Sequence, residues 1–215
     1  MIKSLQPDFL DEVWKDTWDR VKTAHGASTG QEEALWRKAG RTSKANPEGE
    51  DANWWFSEGR NMLDSWVKFR TGELGWSVWT TPDGKPAIEI SMMVDMGGVP
   101  VQMGIDRVMV TPDGELVIVD LKTGMYTPSS DLQLALYAVG MEKTFGVRPQ
   151  YGAYWMSRKN VTSPLVELDF YKTEMIEKIV GDFDRARKEA LFIPNYSHCK
   201  MCGFKKDCEW NKEGK

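Results

Sequence analysis

Three residues near the middle of the chain carry side chains suited to chemistry on an oxyanion: Asp106, Asp120 and Lys122. A strand has a side-chain period of two, so Asp120 and Lys122 share a face if their segment is extended. The runs around them read that way. Val108, Val110, Leu116, Ile118 and Val119 are strand formers, and Pro112-Asp113-Gly114 between them signals a turn. The pattern predicts a β-hairpin with Asp106 near the start of its first strand and Asp120 and Lys122 at the end of its second. Two carboxylates and a lysine at the end of an apolar hairpin are costly to desolvate without a partner. A divalent cation that prefers hard oxygen ligands, Mg²⁺ or Mn²⁺, is the simplest partner.

The next segment adds an amide and a phenol. Ser129, Ser130 and Asp131 are N-cap candidates after Pro128, which predicts a helix over 131–145. Gln133 and Tyr137 are four apart and share one helical face. Leu132, Leu136 and Val139 can take the core side. The helix start thus brings Gln133 and Tyr137 beside the acidic strand end.

Gly104-Ile105-Asp106-Arg107, then Val119-Asp120-Leu121-Lys122-Thr123-Gly124, then Gln133 and Tyr137 together resemble the RecB-type branch of the PD-(D/E)XK nuclease superfamily. The chain is similar to the CRISPR-associated and AddB-like exonucleases of that branch, over about residues 86–156 and again in a cysteine-bearing tail. The resemblance implies a metal-dependent phosphodiesterase. Asp106 and Asp120 would be metal ligands, with the Leu121 carbonyl as a further one. Lys122 would orient or deprotonate the attacking water, or stabilise charge on the phosphate. Gln133 and Tyr137 would hold the nucleic-acid backbone or the metal-bound water. The family pattern also has a histidine in G-x-x-x-H on an upstream helix. Here that segment is Gly59 to Leu63, and Leu63 stands in the histidine position. Glu58 or Asp64 could supply a carboxylate instead, and Glu89 matches an acidic position of the strand before the hairpin.

Three cysteines close the chain, spaced as Cys199-x₂-Cys202-x₅-Cys208. An odd number in a cytoplasmic chain argues against disulfides. The spacing resembles the C-terminal part of an iron–sulfur motif whose fourth cysteine comes from near the N-terminus, and this chain has none there. His198 or His25 would have to complete the set. A [4Fe-4S] cluster, Zn²⁺ and free thiols all remain open readings. If the tail is ordered, its sulfurs should converge, and Lys200, Lys205 and Lys206 would then face a DNA backbone.

Composition narrows the classes. The chain has 215 residues, 41% hydrophobic and 28% charged, which suits one soluble globular domain. No apolar run is long enough for a membrane span. The start, MIKSLQPDFLDEV, has no apolar core like that of a secretory signal, so the expected compartment is cytoplasmic. A formal charge of −4 argues against nonspecific coating of nucleic acid but not against a nuclease, whose metals bring positive charge to an acidic site. Ten tryptophans suit either base stacking or packing, and the helical spacing of Trp14, Trp18 and Trp66 favours packing.

The elements that must position these groups follow in order. Helices are predicted over 8–24, 29–39 and 53–70, with a polar loop at 40–52. Strands are predicted at 76–79 and 86–94, then the hairpin, the helix 131–145, a strand at 151–157 beside the hairpin, and a last helix capped by Thr173. The fold class is α+β, with α/β-like features: a central mixed β-sheet flanked by helices. The resemblance gives it a restriction-endonuclease-like core, divided as a helical segment (1–75), a nuclease core (76–192) and a cysteine tail (193–215). The implied function is a DNA exonuclease or end-processing nuclease of recombination, repair or phage replication, acting on DNA ends or single strands. No G-x-x-x-x-G-K-[ST] motif is present, so unwinding would need a helicase or recombination partner. The other reading is an inactive nuclease fold kept as a DNA- or partner-binding module.

Overall fold

A computed structural model describes residues 7–30, 47, 49–71, 74–191 and, in the tail, 195, 196, 199, 202, 203, 207, 208 and 210. Two helices come first, α1 (Pro7–Thr29) and α2 (Ala52–Thr71). They meet through aromatic rings. Trp14 and Trp18 lie 6.1 and 5.6 Å from Phe56, and the Trp14 indole N–H donates to the Phe56 carbonyl at 2.9 Å. The close approach needs Gly59, because a Cβ there would sit 2.4 Å from the Trp14 ring. Of the helix expected over 29–39, Thr29 instead ends α1 and Gly30 follows it with a φ of 65°; residues 31–39 and most of the loop after them lie outside the described residues.

The sheet follows: β1 (Ser77–Val78), β2 (Ile88–Asp95), β3 (Pro100–Val110), β4 (Leu116–Lys122), β5 (Tyr151–Met156), and short β6 (Val161–Thr162) and β7 (Val166–Glu167). The order is β1-β3-β4-β5-β6, with β2 also on β3 and β7 also on β5. All pairs are antiparallel except β4 with β5. That parallel pair is joined by a crossover helix, α3 (Leu132–Phe145), as parallel neighbours require. A final helix, α4 (Thr173–Lys188), lies against α3 and is tied to it by Lys143–Glu177 at 2.5 Å.

The central strands are buried on both faces, which is why β4 and β5 read as nearly continuous apolar runs. Ile105, Val108, Ile118 and Tyr154 pack under α3 with Leu134 and Val139. Met109, Val117, Val119 and Trp155 pack on the other side with Trp66 and Phe69 of α2. Phe69 stacks on Trp155 at 4.5 Å. The tryptophans described here therefore serve mainly as packing. α3 sits so close to β5 that a Cβ at Gly152 would fall 2.9 Å from Leu134.

The mixed sheet flanked by helices agrees with the reading from sequence. Differences lie at the edges. β6 and β7 are two residues each, too short to leave a pattern. Thr173 is the first residue of α4, after an N-cap at Lys172, and does not cap the helix. Its hydroxyl donates to Glu142 at 2.7 Å and accepts from Arg148, which also reaches the Tyr171 carbonyl.

Candidate active site

β3 and β4 stay paired from Val110–Leu116 to Arg107–Val119, and then part. The next opposed positions are Asp106 and Asp120. The two carboxylates lie close enough for the charge of Asp106 to act on Asp120, and for both to act on Tyr137 of α3. Where the ladder ends, the N–H of Leu121 donates to the Asp106 carboxylate at 2.8 Å. The side chain of Asp106 thus takes the place of a ladder partner and holds the two strand ends at a fixed separation.

The parting has a local cause. Ile105 and Val108 are three apart yet both fully buried in the same cluster, so the alternation along β3 slips by one at this point. On β2 the same slip occurs between Ala87 and Ile90, where Glu89 has a φ of 50°. Such a positive φ is rare for a residue with a Cβ. It turns Glu89 outward, 73% exposed, where it meets Arg107 at 3.4 Å. Glu89 or Glu58 was expected to approach the same point as Asp106 and Asp120. Among the described residues neither is gathered with the two aspartates, and Glu89 pairs with Arg107 instead.

Asp120 is 3% exposed. Lys122, two residues on and on the same face, lies 2.6 Å from its Oδ2. The lysine is not aligned as a good hydrogen-bond donor, so that buried oxygen keeps an unfilled lone pair. Lys122 Nζ also donates to Gln133 Oε1 at 3.1 Å, and Gln133 Nε2 donates to the Tyr137 hydroxyl at 2.8 Å. A lysine can only donate, so Gln133 must turn its oxygen toward Lys122 and its amide protons toward Tyr137. The four side chains form one polar relay, Asp120–Lys122–Gln133–Tyr137, across β4 and α3. Ser130 supports the helix start by accepting from the Leu132 N–H at 3.3 Å.

The electrostatics follow from this packing. Burial pushes the Asp120 carboxyl up; Lys122 pulls it down, and Asp106 pushes it up again. Burial likewise raises the Tyr137 phenol, against the Gln133 hydrogen bond, and the charges of Asp120 and Asp106 add to the rise. Tyr154, unremarked in the sequence, belongs to the site as well. It is the β5 neighbour of Asp120, and Lys122 Nζ lies 5.8 Å from its ring centre. Burial, with Asp131 and Asp120 beside it, pushes its phenol up to about 12. The signal that could have found it is its place in the strand after the crossover helix, which returns beside the strand of Asp120.

A divalent cation fits this donor set. Asp120 presents a buried oxygen without an aligned donor, and Asp106 has one oxygen engaged and one left over. Mg²⁺ characteristically takes one or two carboxylates and fills the rest of its shell with water and substrate oxygens. Among the described residues no group of three or more His, Cys, Asp or Glu side chains is gathered for a metal. Glu58, the other expected carboxylate, is instead reached by Asn61 at 3.4 Å on its own helix. Asp64 is held by Arg60 at 2.6 Å.

The cysteines are not gathered either. Cys199 and Cys208 are half-buried and Cys202 is exposed. The backbone closes its own turn, Cys202 N–H to Cys199 carbonyl at 3.3 Å. Thiols are weak donors and acceptors, so nothing in the polypeptide itself draws three sulfurs together. The expected convergence is absent among the described residues. His198, Lys200, Lys205 and Lys206 lie outside them, and His25 is exposed on α1.

An open groove of about 480 Å³ starts at Gln133 and Tyr137 and passes Ser130, Pro128, Gly104 and Gln102. Gly104 has open space where a Cβ would stand, so the groove floor is clear. Val101, Met103, Leu132 and Leu136 line the rest of the groove, and its Gln133 end meets the relay.

Comparison with known proteins bears on this site. A family model described as the PD-(D/E)XK nuclease superfamily matches residues 3–209. The chain is 33% identical over 160 residues to the Gene 69 protein of Mycobacterium phage D29, a match covering 71% of this chain and 58% of that protein. It is 27% identical over 186 residues to the Gene 69 protein of Mycobacterium phage L5, covering 71% and 61% respectively. The matches span about three fifths of the length of these two relatives. No helix among the described residues is long and apolar enough to cross a membrane.

Proposed function

Because the chain belongs to the PD-(D/E)XK nuclease superfamily, we propose that it is a Mg²⁺- or Mn²⁺-dependent deoxyribonuclease of the RecB-type branch, acting on DNA ends in phage replication, recombination or repair. The observation that carries the reading is the end of the β3–β4 ladder. It sets Asp106 and Asp120 side by side, with Lys122 on Asp120 and Gln133 on Lys122. Asp106, Asp120 and the Leu121 carbonyl are the groups that would hold the cation. When bound, the cation would supply Lewis-acid stabilisation of charge on the phosphate and a water of lowered pKa.

The chain's own residues do the rest. Lys122 is the one cation of the relay, and its ammonium can stay beside Asp120 or turn to a phosphate oxygen without leaving Gln133. Gln133 keeps that ammonium oriented through its oxygen. Tyr137, whose phenol is held protonated, keeps a donor for a backbone oxygen in the groove. Tyr154 closes the site from β5 and excludes water from one side of Asp120. A helicase or recombination partner would supply unwinding, and the cysteine tail would take an iron–sulfur cluster or zinc if it takes a metal.

The test is degradation of DNA labelled at either end, single- and double-stranded, with Mg²⁺, Mn²⁺ or chelator. Metal-dependent release of label supports the reading and gives polarity. No cleavage of any substrate under any metal would favour an inactive nuclease fold, the reading consistent with Leu63 in the histidine position.

A further inference from the structure

We propose that Tyr126 and Lys159 form a stacking platform that takes an unpaired nucleotide next to the active site, so that the substrate strand must be single-stranded there. The proposal rests on the nuclease reading above. Tyr126 is 84% exposed on the loop between β4 and α3, four residues after Lys122. A phenol ring this exposed gains little from its own fold. Lys159 sits over it, with Nζ 5.5 Å from the ring centre. Lys159 arrives from the other strand of the site: it ends the 3₁₀ turn Ser157–Lys159, directly after β5, where Met156 pairs with Lys122.

That turn is tied down by its arginine. Arg158 lies 4.8 and 5.4 Å from the rings of Trp54 and Trp55 and pairs with Glu50 at 2.6 Å. The arginine is therefore spent on structure, and its neighbour Lys159 is left pointing at Tyr126. The result is an aromatic ring with an ammonium over one face and the other face exposed, carried at the ends of β4, the strand of Asp120 and Lys122, and of its neighbour β5.

An aromatic face binds a base by stacking, and a neighbouring ammonium binds the phosphate that follows. In a duplex the bases are stacked inside, so only an unpaired nucleotide can use the ring. Four residues of extended chain reach at most about 14 Å, the length of about four stacked nucleotides. Tyr126 therefore serves a nucleotide within that distance of the phosphate under attack. The groove past Pro128 and Ser130 begins on the same loop and gives the strand its path.

The test measures binding of single-stranded and blunt duplex DNA in chelator, with 2-aminopurine in the single strand, for the wild type, Tyr126→Ala, Tyr126→Phe and Lys159→Ala. Loss of one stacked base corresponds to roughly 5- to 150-fold weaker binding. Tyr126→Ala should show that loss on the single strand, keep its duplex affinity, and no longer quench 2-aminopurine. Tyr126→Phe should retain both stacking and quenching. Lys159→Ala should reduce the salt slope of single-strand binding by about one. Wild-type single-strand affinity in Tyr126→Ala, or an equal loss on blunt duplex, would overturn the platform while leaving metal-dependent cleavage untouched. A wild-type protein that neither binds nor cleaves any DNA would overturn the nuclease reading and the platform with it.

Discussion

At the residue scale, Asp120 is where function and stability oppose each other. Its carboxylate is buried, its pKa is raised by that burial, and its ion pair with Lys122 offsets only part of the cost. A raised carboxyl binds its proton more tightly in the folded chain than in the unfolded one. The metal-free protein should therefore lose stability as the pH rises through the folded Asp120 value, and keep it below the unfolded value. Asp120→Asn should remove that loss. At neutral pH it should raise the metal-free Tm by about 2–4 °C, equivalent to about 1 kcal/mol, while abolishing cleavage. Thermal melts across pH, with and without the substitution, check this. Lys122→Ala acts in the other direction. The carboxyl loses the partner that pulls it down, so the pH–rate profile should move to higher pH as the rate falls about 10²- to 10⁴-fold. An unshifted profile would mean that Lys122 does not control Asp120. That Lys122 lies beside Asp120, and Gln133 beside Tyr137, was legible in the sequence, because period two on a strand and four on a helix suffice to place them. Glu89 was not, because its direction depends on a positive φ that its residue type does not announce.

At the element scale, the site is an agreement between β3, β4, β5 and α3. Gln133 reaches Lys122 only because α3 is pressed onto β5, and Gly152 permits that distance. Gly152→Ala should force Leu134 and the start of α3 outward. The overpacking should cost about 1–3 kcal/mol, and the rate should fall with it, because Gln133 moves with the helix. Melting and kinetics on one preparation test the coupling. A lower Tm with an unchanged rate would show that the relay does not depend on the seat of α3. The far end of α3 has its own tie. Arg148 joins Glu142, Thr173 and the Tyr171 carbonyl, and the Glu142 carboxyl is held below its usual range, first by the Thr173 hydroxyl and then by Arg148. Stability from Glu142 should be complete above its unfolded value and lost as the pH falls through the folded one. Glu142→Gln should therefore flatten the acid side of the stability profile. The hairpin and the crossover helix could be read in advance because their apolar periods are long and unbroken. The two-residue strands β6 and β7 could not, since tertiary pairing alone defines them. Nor could the slip at Asp106, which lies in how two strands pair and not in either alone.

At the scale of the whole molecule, the chain places an acidic, metal-ready strand end between a packing layer, α1 and α2, and a presenting layer, α3 with its groove. Family membership could be read from about a sixth of the chain, because the residues that carry it cluster between Gly104 and Tyr137. The tail resisted the same reading: its cysteines were expected to converge, and a turn closed by its own backbone does not require them to. The claim on which the rest depends is that Asp106 and Asp120 together hold a divalent cation that drives cleavage. The most direct measurement is a Mn²⁺ titration followed by electron paramagnetic resonance, with cleavage of end-labelled DNA read in the same samples, for wild type, Asp106→Asn and Asp120→Asn. The wild type should bind Mn²⁺ and degrade DNA in proportion to the bound metal. Both variants should stay folded, bind Mn²⁺ at least about 10-fold more weakly and release no label. Cleavage at the wild-type rate in either variant, or in chelator, would contradict the account.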